Sequence, residues 1–281
     1  MNIITGEKLQ DLCDVQISKL EHKKFESNQN SIDIDNFNFE NFNNSELVYC
    51  NISLINEDKP KLKESRLYEK LCLFKKPFSL VLHNADDSFN KSHIKYLDIP
   101  NCKLVYTQNM NLIHEKVKPL PIGIANSFWK WGDLSKFRDI LETDFETKSE
   151  FIYCNFTRSG GVRDEDRLDC YENVKKQNIP FVPNLQYKEY LNTLKKYKYC
   201  ISPQGNGIDC YRTWEALYLK VVPICIRSPL ITYFSKIFPI YILDNWNELN
   251  IDDLEKNYSN FSWDNYELLD FDNFIKHIGL I

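Results

Sequence analysis

Glycine is scarce in this chain, 8 of 281 residues, about 3% where roughly 7% is ordinary. Each remaining glycine is therefore expected at a backbone position that tolerates no side chain, and four of them fall in two clusters, Gly160-Gly161 and Gly205-Asn206-Gly207. Neither G-x-G-x-x-G nor G-x-x-x-x-G-K-[ST] occurs, which weighs against a dinucleotide-dependent dehydrogenase and a P-loop ATPase. No apolar run approaches the roughly 18 residues that span a bilayer, and residues 1–20 are too polar and acidic for a signal peptide. A soluble, cytoplasmic protein without a transmembrane segment is expected. The nine cysteines include no C-x-x-C pair, so neither a zinc site nor a disulfide framework is indicated, and an odd number of thiols suits a reducing compartment. A basic excess is missing too: a net charge of -5 and a pI near 5.7 speak against nucleic acid as an obligate partner.

What is present is ordinary globular material, 43% hydrophobic and 27% charged, in a length that accommodates two domains. Residues 47–55 are apolar and β-prone, 59–74 carry apolar positions at helical spacing, and 78–83 and 103–106 read as strands. Two prolines keep 117–124 extended, while 27–45, rich in Asn, Asp and Phe, reads as a loop insertion. Beyond residue 149 the alternation is cleaner. Strands at 151–156, 180–182, 199–202, 221–226 and 240–243 alternate with helices at 164–177, 186–196, 209–219 and 229–237, the pattern of βαβ units around a buried parallel sheet. The fold class is α/β: two Rossmann-like domains facing across a cleft, one over 1–145 and one over 150–260. Residues 129–147 would connect them, and a helix over 263–281 would cross back to the first.

The strongest local signal lies at 199–227. A buried strand ends near Ser202, a loop carrying Gly205 and Gly207 follows, and Asp209 is placed to cap a helix whose apolar face is Trp214, Leu217 and Tyr218. Asp209, Arg212 and Glu215 recur every third residue on the other face. Ligands of open parallel sheets bind at the carboxyl ends of strands. Unpaired N–H groups and the helix dipole there favour an anion, and Arg212 can fork onto phosphate oxygens. Glu215, one turn deeper, suits a ribose diol, so the set describes a nucleotide diphosphate site. The competing reading is a surface ion pair of Arg212 with Glu215 or Asp209.

The run S-P-x-G-x-G-x-D-x-x-R-x-W-E-A-L-x-x-x-x-V-P-I resembles the donor-binding half of exostosin-like glycosyltransferases of the GT-B fold, with a weaker similarity to fucosyltransferases that use GDP-fucose. Residues 6–14, Gln108-Asn109, 120–126 and 156–167 resemble other stretches of the same group. Lys220 departs from it, since relatives tend to carry glycine there. The resemblance implies inverting transfer of a sugar from a UDP- or GDP-linked donor to a glycan or glycoprotein hydroxyl, with no metal and no further cofactor. It places Ser202, Gly205, Gly207, Asp209, Arg212 and Glu215 on the donor motif, joined by Asn155 with Arg158 or Arg167. Arg158 and Arg163 flank Gly160-Gly161, which reads either as a basic loop suited to close over a diphosphate or as a solvated turn. The D-x-D pattern Asp33-Ile34-Asp35 lies in the low-complexity stretch and is discounted.

Inversion needs a base to deprotonate the acceptor. The strand at 78–83 ends in His83-Asn84-Ala85-Asp86-Asp87, where function collects in α/β domains. Asp86 is the expected base and His83 its rival, the latter because its unperturbed pKa lies nearer working pH. The bland alternative makes Asp86 or Asp87 a helix cap and His83 a satisfied core residue. Asn84, Asp87, Gln108, Asn109 and Asn126 are candidates for acceptor hydroxyls, and Trp129 and Trp131 for stacking on a sugar ring or for packing. The remaining alternative is a catalytically silent relative that holds a glycan or a partner.

Overall fold

In a computed structural model of the chain, residues 1–17, 46–56, 67–143, 147–158 and 163–281 are described. The loop expected at 27–45, with Asp33 and Asp35, and the Gly160-Gly161 pair lie outside them. The chain divides into two units, Thr5–Ile122 on its own and Met1–Ile4 together with Gly123–Ile281. Residues 123–143 thus group with the second unit, and so does 263–281. Both units are α/β with wholly parallel sheets in which the spatial order of the strands follows chain order, a Rossmann-like arrangement.

The first unit contains α1 (Gly6–Asp11), β1 (Val15–Gln16), β2 (Leu47–Asn51), α2 (Leu67–Leu71), β3 (Phe78–His83), β4 (Cys102–Thr107) and β5 (Val117–Pro119). Val48, Tyr49 and Cys50 of β2 and Leu80, Val81 and Leu82 of β3 are all buried. Such unbroken apolar runs are what a parallel sheet covered on both faces requires. The strand expected over 47–55 stops at Asn51, whose side chain accepts from Ser53 N at 3.0 Å and starts the 3-10 helix Ile52–Ile55. Of the helix expected at 59–74, Leu67–Leu71 is helical and 59–66 fall outside the described residues. Neither Asp86 nor Asp87 caps the 3-10 helix Lys91–Asp98 that comes after β3. Asn90 does so, accepting from Ser92 N at 2.9 Å.

The second unit contains α3 (Leu134–Leu141), β6 (Glu150–Tyr153), α4 (Asp164–Lys176), α5 (Tyr187–Leu194), β7 (Tyr197–Ile201), α6 (Tyr211–Tyr218), β8 (Val222–Ile226), α7 (Pro229–Phe234), β9 (Tyr241–Leu243), α8 (Ile251–Asn257) and α9 (Phe271–His277). The strand expected at 180–182 does not join the sheet. Pro180 and Pro183 have no N–H for a ladder, and the segment is held to the end of β6 by Val182 N donating to Cys154 O at 2.8 Å. The single helix expected over 263–281 is broken into a 3-10 turn, Tyr266–Leu269, and α9, which Asp270 caps. Tyr218 at the end of α6 ties the chain ends in: its hydroxyl accepts from Ile4 N (2.8 Å) and donates to Leu269 O (2.6 Å). Phe271 N in turn donates to Asn2 O at 2.6 Å.

Lys220 follows α6 with φ 54, in the left-handed region that favours glycine. Lys220 N donates to Leu217 O (3.1 Å) and Val221 N to Ala216 O (2.8 Å), the two bonds of a Schellman stop. The turn at Lys220 is therefore left-handed. The Lys220 ammonium sits 4.7 Å from the Tyr266 ring centroid, an attraction that offsets part of the backbone strain.

Candidate functional site

In a parallel sheet every carboxyl end lies on one edge, and in the second unit that edge gathers the donor candidates. The loop 202–210 runs from β7 to α6. Two residues of α4 clamp it: Asp166 accepts from Gln204 N and from Trp246 Nε1, both at 2.9 Å, and Arg167 Nε donates to Gln204 O at 2.9 Å. Arg167 Nη1 also donates to Thr157 O at 3.0 Å, so this guanidinium is committed to backbone carbonyls and works as a loop staple. Ser202 is buried, with its hydroxyl 2.9 Å from Thr213 Oγ1 and 3.3 Å from Cys210 Sγ, which joins the end of β7 to the start of α6. Asn155 donates from Nδ2 to Pro183 O at 3.0 Å, and exposed Arg158 stacks 4.6 Å from the Tyr171 ring centroid.

Two expectations fail here. The residue at the N-cap of α6 is Cys210, which supplies no capping hydrogen bond, and the Asp209 carboxylate is taken by the buried Trp214 indole, whose Nε1 donates to its two oxygens at 2.9 and 2.8 Å. A buried indole N–H needs an acceptor, and Asp209 is the one within reach. Asp209 therefore does not line the helix face with Arg212 and Glu215. At Gly205 an added Cβ would meet Cys210 Cβ at 3.6 Å and Arg167 Nη2 at 3.7 Å, ordinary contacts, so glycine is not sterically required there. Gly207 lies buried in the same loop.

Arg212 and Glu215 remain, one turn apart on α6. No ion pair forms between them, and the partly buried Arg212 guanidinium engages no hydrogen-bond acceptor among the described residues. Glu215 is buried and accepts from Tyr190 Oη at 2.7 Å. Burial pushes its pKa upward, while the Tyr190 hydrogen bond, the nearby Arg212 charge and a hydrogen bond from Tyr187 hold it down. Three aromatic residues that the sequence does not single out surround this pair: Tyr153 at the end of β6, and Tyr187 and Tyr190 on α5. The Tyr190 ring centroid is 5.8 Å from that of Tyr153 and 6.2 Å from that of Tyr187. Among the described residues no group of His, Cys, Asp or Glu converges as a metal site, and no helix is long and apolar enough to cross a membrane.

The carboxyl edge of the first unit brings together His83, Asn84, Asp86, Asp87, Gln108 and Asn109. Asn84 has φ 62, a conformation asparagine tolerates better than most residues. Its backbone is fixed on both sides: Asn84 N donates to Gln108 Oε1 at 3.0 Å, Asn51 Nδ2 to Asn84 O at 3.0 Å, and Asn109 Nδ2 to Ala85 O at 3.2 Å. Asn84 Nδ2 donates to Gly6 O (3.2 Å) and to Tyr49 Oη (2.8 Å). These amides thus build the turn that presents Asp86, which is exposed, and the partly buried Asp87. Asn126 belongs to the other unit, where its carbonyl accepts from Trp129 N at 3.0 Å. Trp129 and Trp131 stack there with ring centroids 6.0 Å apart.

His83 is 1% exposed, its Nε2 donates to Pro121 O at 2.9 Å, and Nδ1 lies 3.2 Å from Asn84 Oδ1. Burial lowers its pKa below the ordinary value, against the pull of these two neighbours. With the folded-state pKa depressed, the unfolded chain binds a proton that the folded chain refuses. The contribution of His83 to stability is therefore intact above about pH 6.5 and is lost as pH falls from there through the folded value. We expect the melting temperature to drop more steeply between pH 7.5 and 5 in the natural chain than in His83→Gln. Parallel melting profiles for the two would refute this.

No protein-family model matches the chain, and no curated protein sequence matches it.

Proposed function

We propose that the chain is an inverting, metal-independent glycosyltransferase of the GT-B type that takes its sugar from a nucleoside diphosphate. The observation that carries this reading is Arg212: a partly buried guanidinium with no acceptor among the described residues, at the start of a helix without a side-chain cap, one turn from a buried carboxylate. A guanidinium kept half out of water with the Glu215 charge nearby but no hydrogen-bond acceptor has its fork of donors open to an anion. The resemblance of 202–224 to exostosin-like donor sites agrees with it. In this reading Arg212 and the N–H groups of α6 neutralise the pyrophosphate as the glycosidic bond breaks, and Glu215 accepts from the ribose.

Asp86 is the proposed base. It removes the acceptor's proton as that oxygen bonds to the anomeric carbon, while the bond to the diphosphate breaks and its electron pair leaves with the phosphate. His83 is the weaker choice, because Nε2 is spent on Pro121 O and burial keeps the ring neutral. The experiment is a melting panel with UDP, GDP, CMP and their sugars. A ligand at 100 times its dissociation constant adds roughly 2.7 kcal/mol, a shift of several degrees in a chain of this size. We expect a diphosphate to give it and CMP to fall short. Unshifted melting with every nucleotide would end the proposal, and the contrast between UDP and GDP separates the exostosin-like reading from the fucosyltransferase-like one.

A further inference from the structure

The second unit has a crevice of about 360 Å³ between residues 235–240, which lead from α7 into β9, and residues 260–265, which follow α8. Because the sheet is parallel, the start of β9 lies on its amino edge, opposite the edge that gathers the donor candidates. The volume falls within the range of small-molecule sites. Its walls are joined: Asn265 Nδ2 donates to Ile237 O at 3.0 Å, and Asp264 N donates to Ser262 Oγ at 3.0 Å. The apolar part is anchored in the core, with the buried Phe238 ring 5.8 Å from Trp214 and the Phe261 ring 6.2 and 6.3 Å from Tyr199 and Tyr241. The polar part is unspent. Lys236 and Asp264 carry opposite charge, yet they form no ion pair, and neither charged group has a hydrogen-bond partner among the described residues. Asn260 and Asn265 give their amide N–H groups to Asn257 Oδ1 (3.3 Å) and Ile237 O, which leaves the Oδ1 of each without a donor among the described residues. The Ser262 hydroxyl accepts from Asp264 N and keeps its own proton to give.

We infer that this crevice binds a saccharide, at a site separate from the carboxyl edge and independent of the nucleotide reading. The polar groups select the class. Asp264, Asn260 Oδ1 and Asn265 Oδ1 accept, whereas Lys236 and Ser262 donate. A ligand that answers all of them must donate at several points and accept at others, and hydroxyl groups do both. A phosphate brings acceptors alone and meets the Asp264 charge and the amide oxygens unfavourably. One carboxylate and one ammonium cancel, so a neutral ligand is favoured over a charged one. A pyranose also has faces of C–H groups that lie against an aromatic ring, the surface Phe261 offers. Ligands that react on parallel sheets sit at the carboxyl ends of strands. A sugar at the opposite edge is held without being transformed, and the crevice is an anchoring site for a glycan.

The test is saturation-transfer NMR on the full chain with the methyl glycosides of glucose, galactose, mannose, fucose and N-acetylglucosamine, and with alanine as a zwitterion that pairs with Lys236 and Asp264 alone. Signal should reach the ring protons of at least one glycoside and persist when UDP or GDP is added. Asp264→Ala should weaken that glycoside by about tenfold or more. Asp264→Asn should recover part of the loss, because its amide oxygen still accepts. Both variants should melt with the natural chain, since the Asp264 carboxylate makes no bond within the fold among the described residues. Silence from every glycoside would overturn the inference, as would binding of alanine alone or a glycoside signal that Asp264→Ala and Asn260→Ala leave intact. A glycoside displaced by UDP or GDP belongs to the carboxyl edge and would overturn it as well. Failure of every nucleotide to bind would remove the nucleotide reading and leave the crevice standing.

Discussion

Replacing Arg212 by alanine is expected to lower sugar transfer by two to three orders of magnitude while lowering the melting temperature only slightly. The two halves of that result have one cause. Loss of a fixed donor facing charge that develops in the transition state typically reduces turnover by about a hundredfold to a thousandfold, or roughly 2.7–4 kcal/mol. The fold loses no hydrogen bond, because the guanidinium has no acceptor among the described residues, and loses only the attraction between that charge and the buried Glu215 carboxylate. Arg212→Lys should recover only part of the rate, since an ammonium cannot fork onto two phosphate oxygens. Turnover and melting measured on the same preparations decide the matter. Transfer at the natural rate would sink the assignment, and a large drop in melting temperature would recast Arg212 as structural.

Gly6→Ala should be the most damaging small substitution in the first unit. A Cβ at Gly6 would lie 1.9 Å from Asn84 Oδ1 and 2.8 Å from His83 Nδ1. Asn84 cannot swing away cheaply, because its Nδ2 is committed to Gly6 O and Tyr49 Oη and its backbone is pinned by Gln108 and Asn51. Overpacking of this kind costs about 1–3 kcal/mol, and stranding the partly buried Asn84 amide adds about 1 more. At roughly 2–4 °C per kcal/mol, the unit should melt several degrees lower. Asn84→Gly removes the obstructing side chain and suits φ 62, so the double variant should be less destabilised than the sum of the singles. Additive losses would show that the clash is relieved elsewhere.

The parallel sheets were legible in the sequence because burial on both faces writes itself as continuous apolar runs, as in Leu80-Val81-Leu82 and Tyr199-Cys200-Ile201. What long-range pairing decides was not legible. Asp209 has the composition and position of a cap, yet an indole five residues later in the chain claims it, and nothing local announces that preference. Tyr187 and Tyr190 are two among 16 tyrosines, and only the fold brings them to Glu215. Scarcity of glycine held as a guide at Gly6, where a helix start presses on a side chain 78 residues away, and failed at Gly205, where the loop leaves room for a methyl group.

The stitching of both chain ends to Tyr218 bears on how the protein is made. Asn2 N donates to the Asp270 side chain across 268 residues, so the two partners are synthesised far apart in time. Closing so long a loop costs entropy that local contacts do not repay. The unit that contains α6 therefore completes its packing only once the residues around Asp270 have been made, whereas Thr5–Ile122 is synthesised well before then and can fold earlier.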